Sequence, residues 1–376
     1  MGADLLNKIK HNKTTWGRCA FLGNQASLCK DYIPTYKKLK DLLGKQLVIC
    51  FSPQHGYWSV EQDNMIESPH TDIENIPIYS LYSETRKPTN EMLQQIDTII
   101  IDLQIVGCRV YTFKATLLEC LTVAAKTNKR ILILDRPNPI GGLQIEGPTL
   151  DPSLQSFVGP DSIPMRHGLS VGELANFFNK KIKAQLEVVT MENWQPESFW
   201  CEYKKDWIYT SPNLPTFNSL VLYPGMVIFE GTNISEGRGT CFPFQVIGAP
   251  YIKDSNKLIK RIYDYGKSFP GVHLRPIMFK PHFSKWQKEI CNGIHICVTD
   301  YRKVKSFWLA LSILKSFMDF GKDNFSWKKP PYEYEYKTTP ASLIVGKTDF
   351  ITKIQSAPIS QDWCNQGLSN YSKEVK

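Results

Sequence analysis

One stretch of the sequence concentrates groups able to do acid–base work: Phe229-Glu230-Gly231-Thr232-Asn233-Ile234-Ser235-Glu236-Gly237-Arg238-Gly239-Thr240. It sets two carboxylates six residues apart, with the amide of Asn233 and the guanidinium of Arg238 among three glycines. The glycines let the backbone turn sharply and approach a ligand closely. Two carboxylates in such a loop can face one substrate, one giving a proton and the other taking one or steadying charge. The structural alternative is that Glu236 and Arg238 simply pair and Glu230 caps a helix.

A second set of polar residues follows short apolar runs. The first run ends in Gly23-Asn24-Gln25 and the second in Pro53-Gln54-His55-Gly56. A later one ends in Asp102-Leu103-Gln104, followed by Gly107, Arg109 and Tyr111, and another in Asp135-Arg136-Pro137-Asn138-Pro139. Ligands bind at the carboxyl ends of strands in open parallel sheets, so these ends predict a binding rim. Turn chemistry accounts for the Gly, Pro and Asn residues but not for Gln54, His55 or Arg109. The loop Pro164-Met165-Arg166-His167-Gly168 adds a histidine beside an arginine.

Other chemistries lack support. The seven histidines form no HxH or HExxH pair, and the ten cysteines no CxxC, so no metal site is expected. His70-Thr71-Asp72 reads as turn chemistry. GxGxxG is absent. Ala341-Ser342-Leu343-Ile344-Val345-Gly346-Lys347-Thr348 matches a loosened phosphate-loop pattern, but the polar stretch before it is no buried strand. It is taken as a chance match.

The elements that must position these residues alternate. Strands are predicted at 19–22, 47–51, 76–81, 99–103 and 131–134, and helices at 32–43, 90–96, 113–126 and 170–181. Ser170 with Glu173 is a capping box. Short continuous apolar strands between helices predict an α/β fold, a doubly covered parallel sheet. A Trp/Pro-rich connector is expected over 193–223, then helices at 258–265 and 304–317 and strands at 273–279 and 293–298. A boundary is expected between 195 and 225.

Composition sets the outer bounds. The 376 residues are 42% hydrophobic and 22% charged, which excludes wholesale disorder. Lys and Arg number 45 against 36 Asp and Glu, a net +9 that suits an anionic ligand. The basic residues are scattered rather than striped, so no nucleic-acid partner is expected. No apolar run reaches the roughly 18 residues of a spanning helix, and residues 1–15 show no secretory signal. Unpaired-looking cysteines favour a reducing compartment, so a cytoplasmic location is expected.

Several rare strings occur together in a recognisable order: Ser52-Pro-Gln-His-Gly56, Ile78-Tyr-Ser-Leu-Tyr82, Asp102-Leu-Gln-Ile-Val-Gly-Cys-Arg-Val-Tyr-Thr112 and Leu134-Asp-Arg-Pro-Asn-Pro139. Arg166-His-Gly168 with Val171-Gly-Glu-Leu174, Ser211-Pro-Asn-Leu-Pro-Thr216, Leu222-Tyr-Pro-Gly225 and the 229–240 segment follow. In these the chain resembles, over roughly residues 15 to 300, a bacterial family associated with exo-β-N-acetylmuramidase activity (glycoside hydrolase family 171). The resemblance implies a Rossmann-like catalytic domain, set at 1–210, and a smaller C-terminal α/β domain, 211–376, contributing to an active-site cleft. The implied reaction releases N-acetylmuramic acid from the non-reducing end of peptidoglycan fragments, without a cofactor. The substrate's lactyl carboxylate would meet Arg109, Arg136, Arg166 or Arg238.

On this reading Glu230 and Glu236 are the expected catalytic carboxylates, with His55 and Asp102 beside them. Gln54, Gln104, Arg109, Tyr111, Asn138, Arg166, His167, Asn233 and Arg238 are the expected substrate contacts. Two positions depart from the family pattern: Gln54 stands where Glu is common, and Ile105 where Asp is common. Glu61, Asp63 or Glu67 could replace a lost carboxylate. The departures keep two alternatives open, a non-catalytic muropeptide- or sugar-binding protein and a hydrolase of a different anionic glycoside.

Overall fold

The computed structural model describes residues 1–63 and 65–375. The chain forms two compact units, and neither is a single stretch. The first gathers Met1–Gly107, Tyr111–Leu143 and Gly168–Pro212; the second gathers Cys108–Val110, Gln144–His167 and Asn213–Lys376.

The first unit is built on a seven-stranded sheet. Its strands are β1 (Cys19–Gly23), β2 (Leu47–Ser52), β3 (Thr71–Ile73), β4 (Ile76–Ser80), β5 (Thr98–Asp102), β6 (Arg130–Leu134) and β7 (Gln185–Val189). They lie in the order β3-β4-β2-β1-β5-β6-β7. All pairings are parallel except that of β3 with β4. Every residue of β1 and β5 is buried, which is why these strands read as unbroken apolar runs rather than alternating ones. The principal helices are Thr35–Leu43, Phe113–Thr127 and Val171–Ile182. At the last, Glu173 N–H donates to Ser170 Oγ (3.1 Å) and Ser170 N–H to Glu173 Oε2 (2.7 Å), the expected capping box. β1 has β2 on one side and β5 on the other, so the chain order reverses here and a crevice opens at the carboxyl ends.

Three expectations are corrected. The helix expected from Tyr32 begins at Thr35, because Tyr32 lies at φ +60° and Pro34 is extended at ψ 132°. β3 and β7 are short strands with exposed or half-buried polar positions, which blur the apolar signal. The expected connector holds most of a helix, Phe217–Met226, which Thr216 caps and which carries Pro224 inside it. A proline at that place breaks the sequence pattern without breaking the helix.

The second unit carries a three-stranded antiparallel sheet, β8 (Val246–Ala249), β10 (Cys291–Val298) and β9 (Val272–Phe279) in that order. The helix Ser255–Gly266 packs on β9, β10 and the helix Ser306–Gly321, and the latter also packs on Phe217–Met226. At Gly225 an added Cβ would lie 1.9 Å from the Ser306 carbonyl oxygen, so no larger residue fits. In the phosphate-loop-like string, Pro340–Val345 is a helix closed by Gly346 at φ +78°, and Lys347 pairs with Asp151 at 2.6 Å. A helix, not a strand, precedes the glycine, so the chance reading stands. Among the described residues, no helix is long and apolar enough to cross a membrane.

Candidate active site

The parallel pairing of β2, β1, β5 and β6 brings four of the predicted strand ends to one edge of the first unit. Asp102, the last residue of β5, is fully buried there. Its carboxylate accepts from Arg136 Nε, from Arg136 Nη2 (2.8 Å) and from Thr35 Oγ1 (2.6 Å). Arg136 also donates to the Leu28 carbonyl (2.8 Å), so one bidentate pair ties the loops after β1, β5 and β6 together.

His55 follows β2 at φ +72°, a region that costs a side-chain-bearing residue roughly 1–3 kcal/mol. Its Nδ1 lies 2.7 Å from the Glu61 carbonyl oxygen. A carbonyl can only accept, so Nδ1 bears the hydrogen and Nε2 of the neutral ring is the acceptor. Glu61 thus enters through its main chain. Gln54 Oε1 accepts from the Thr112 hydroxyl. The Tyr111 hydroxyl donates to Thr210 Oγ1 (2.6 Å), and burial pushes this phenol well above its ordinary range. Asn138 donates to the Leu169 carbonyl (3.2 Å) and accepts from Ile140 N–H (3.2 Å). Gln104 donates to the carbonyls of Ile105 (2.8 Å) and Pro137 (3.0 Å). Its Oε1, also buried, has no hydrogen-bond partner among the described residues. Asp135 caps the helix Val171–Ile182 by accepting from Gly172 N–H (2.6 Å), and burial pushes its carboxyl up to about 6.

In the second unit the 229–240 segment folds into a closed ionic cluster. Glu230 accepts from Arg238 Nη2 (2.5 Å) and from the Tyr332 hydroxyl (2.7 Å). Glu236 accepts from Lys285 Nζ (2.6 Å), and its other oxygen lies 3.4 Å from Arg238 Nε. Lys285 donates two further bonds, to the carbonyls of Phe229 (2.5 Å) and Ile234 (2.9 Å), so all three of its N–H groups are engaged. Burial pulls the Lys285 ammonium below its ordinary range, and the Glu236 charge opposes that pull. Glu230 and Glu236 therefore share the Arg238 guanidinium, and Tyr332 and Lys285 hold their other oxygens. The rival expectation, with Glu230 as a helix cap, is replaced by this pairing.

Other predicted contacts have partners of their own. Asn233 turns to Asn324 O (2.7 Å) and Ser326 N–H (3.2 Å). Arg166 donates to Gln144 (2.5 Å) and Glu146 (2.8 Å), and Glu146 in turn accepts from Phe307 N–H (3.1 Å). His167 is buried, and its carbonyl accepts from the Tyr371 hydroxyl (2.7 Å). Arg109 has no exposed surface and donates to four carbonyls: Pro148 (2.8 Å), Ile163 (2.9 Å), Ile344 (2.9 Å) and Val345 (2.7 Å). Each of the four arginines considered for the carboxylate clamp makes hydrogen bonds inside its own unit.

Sequence reasoning missed Thr35, Glu146, Thr210, Lys285 and Tyr332. Lys285 sits in Phe283-Ser284-Lys285-Trp286, a string with no periodicity and no motif. Its role comes from partners 49 to 56 residues away.

One unit carries a Rossmann-like parallel sheet, and the other, with an antiparallel sheet, carries paired carboxylates in a glycine-rich turn. The chain belongs to the exo-beta-N-acetylmuramidase NamZ family: the model of its N-terminal domain matches residues 19–218 and that of its C-terminal domain residues 221–376. It is 40% identical over 285 residues to the peptidoglycan beta-N-acetylmuramidase NamZ of Bacillus subtilis, covering 75% of this chain and 68% of that one. A crystal structure of a DUF1343 family protein from Bacteroides fragilis matches with a TM-score of 0.86 at 27% identity, covering 100% of this chain and 96% of that one. A second such protein from Bacteroides fragilis, at 23% identity and TM-score 0.74, covers 100% of this chain and 96% of its own and shares the fold.

Proposed function

We propose that this protein hydrolyses the β-glycosidic bond of N-acetylmuramic acid at the non-reducing end of peptidoglycan-derived saccharides. The observation that carries the reading is the cluster in which Glu230 and Glu236 share Arg238, within a chain 40% identical to a peptidoglycan beta-N-acetylmuramidase. Glycoside hydrolysis needs two carboxyl-type groups about the scissile bond and a way to steady an oxocarbenium-like state. In this reading Glu230 and Glu236 supply the carboxylates, and Arg238 fixes their mutual position. His55, oriented by the contact of its Nδ1 with the Glu61 carbonyl, moves a proton, and Asp102 acts as a positioning residue through Arg136 and Thr35. Gln54, Gln104, Tyr111, Asn138 and Asn233 contribute to recognition of the sugar. The Rossmann-like domain is taken as 1–210 and its companion, which carries both carboxylates, as 211–376. The cytoplasm is the proposed location, supported by ten cysteines that are all free thiols, seven of them buried.

The test is chromophore release from a β-N-acetylmuramic acid glycoside, with the N-acetylglucosamine analogue as control. Turnover specific to the lactyl sugar, lost in Glu230→Gln and in Glu236→Gln, is the expected result. Retained activity in either variant removes that residue from the chemistry. A second reading, a binding protein on an enzyme's fold, is favoured by one observation: position 54 carries an amide that accepts from Thr112. No turnover of either glycoside, with thermal stabilisation by free N-acetylmuramic acid, would establish it.

A further inference from the structure

The second unit holds a cleft none of whose residues enters the proposed reaction. Its larger chamber, about 230 Å³, is walled by Phe269, Val272, Val304, Trp308 and Leu309, and its polar side chains are Ser268, Lys305 and Gln361. A smaller chamber of about 90 Å³, reaching Glu146 and Asn365, shares Lys305, Trp308 and Gln361 with the first. Every one of these residues belongs to the second unit.

The cleft lies at the start of the helix Ser306–Gly321, whose N-cap residue is Lys305. An ammonium has no acceptor to offer the first helical N–H groups, and Lys305 makes no side-chain cap. The Glu146 carboxylate takes Phe307 N–H (3.1 Å), but Arg166 (2.8 Å) already balances that charge. Lys305 is exposed and forms no ion pair within 4 Å among the described residues, whereas its neighbour Lys303 is held by Asp300 (2.9 Å). Asp362, next to Gln361, lines neither chamber. An unpaired cation and the positive end of a 16-residue helix therefore meet at one cleft, and both favour an anion there.

The walls set the rest of the ligand. Trp308 donates its Nε1–H to the Gly266 carbonyl (3.4 Å), which anchors the indole by its polar edge, and Phe269 and Leu309 are buried beside the cavity. A cavity of about 150 Å³ with aliphatic and aromatic walls already admits a benzene ring, so the larger chamber has room for one ring and little more. A saccharide, with a hydroxyl on most carbons, would leave polar groups unmatched against these walls.

We propose that this cleft binds a small organic acid, its ring-sized apolar body against Phe269, Val272 and Trp308 and its carboxylate on Lys305. The site is independent of the glycosidase reading.

The experiment is an NMR titration of the full chain, its nine tryptophans labelled at the indole nitrogen, with benzoate, benzyl alcohol and acetate. Trp308→Phe identifies the Trp308 resonance by its loss. The expected result is a saturable shift of that resonance by benzoate, with a Kd on the order of 0.1–1 mM. Benzyl alcohol, which keeps the ring, and acetate, which keeps the charge, should each bind at least about 10-fold more weakly. Lys305→Met should weaken benzoate binding roughly 10- to 100-fold and leave benzyl alcohol unchanged. The side chain is exposed, so this variant keeps its fold. Any of three results overturns the site: no shift at Trp308 up to about 20 mM benzoate, equal affinity for acid and alcohol, or unaltered benzoate affinity in Lys305→Met.

Discussion

Replacing Arg109 by methionine tests the division between residues that hold the fold and residues that meet a ligand. The guanidinium donates four bonds of 2.7–2.9 Å to main-chain carbonyls in the second unit. Hydrogen bonds to charged groups are worth about 1.5–3 kcal/mol each, and orphaned buried carbonyls cost a similar amount, so four lost bonds amount to about 8 kcal/mol. Against this stands the cost of burying the charge. Burial pulls the Arg109 guanidinium from 12.5 to about 10, which corresponds to about 3 kcal/mol that methionine recovers. The balance is a loss of about 4–5 kcal/mol. With a urea slope near 3 kcal/mol/M, the unfolding midpoint should fall by roughly 1.5 M. Arg109→Lys should recover less than half, because one ammonium carries three donors and cannot span four carbonyls. Equilibrium urea unfolding followed by tryptophan fluorescence reads the effect. An Arg109→Met protein that unfolds at the parental midpoint yet loses affinity for substrate would refute the reasoning and return Arg109 to the ligand.

Three further outcomes follow from the geometry. Asp135 titrates at about 6 in the fold against 3.8 when exposed, so its ionisation is harder in the folded state and stability is lost as pH rises through 4 to 6. Asp135→Asn keeps an acceptor for Gly172 N–H, and relative to it the wild type should lose up to about 3 kcal/mol between pH 4 and pH 7; an equal gap at both pH values would contradict the burial argument. Gly225→Ala places a Cβ 1.9 Å from the Ser306 carbonyl oxygen, and the two helices must part, so a loss of about 3 kcal/mol or more is expected in thermal unfolding. Lys285→Met should lower kcat about 100-fold with KM little changed, since Lys285 acts through the Glu236 carboxylate; a folded Lys285→Met protein with kcat intact and only its thermal stability reduced would make Lys285 a plain structural staple.

The sequence was most readable where local chemistry alone decides the outcome. The apolar runs at 47–51 and 131–134 became buried parallel strands because helices leave no polar face to a doubly covered sheet. Ser170 and Glu173 made their reciprocal cap because both bonds close within one turn. The helix Phe217–Met226 was hidden by Pro224, whose sequence signal says break while the surrounding packing holds. The arginines show the other limit. Residue type reveals a cation, but Arg109's partners lie 39, 54, 235 and 236 residues away, and only the folded chain brings them within reach. Long-range pairing is likewise why Lys285 and Tyr332 carried no signal, although Glu230, Glu236 and Arg238 were legible as a group.

The path of the chain has a consequence for synthesis. Residues 108–110 and 144–167 belong to the second unit although the first continues to Pro212, so the polypeptide changes unit five times. As the chain leaves the ribosome, Arg109 emerges more than two hundred residues before Ile344 and Val345, whose carbonyls it must satisfy. A nascent chain halted near residue 212 would carry this guanidinium with two of its four carbonyl partners still missing. Completion of the second unit therefore waits until Ile344 and Val345 have emerged. Shuffling either unit as a cassette, by one cut and one join, would strand part of the other.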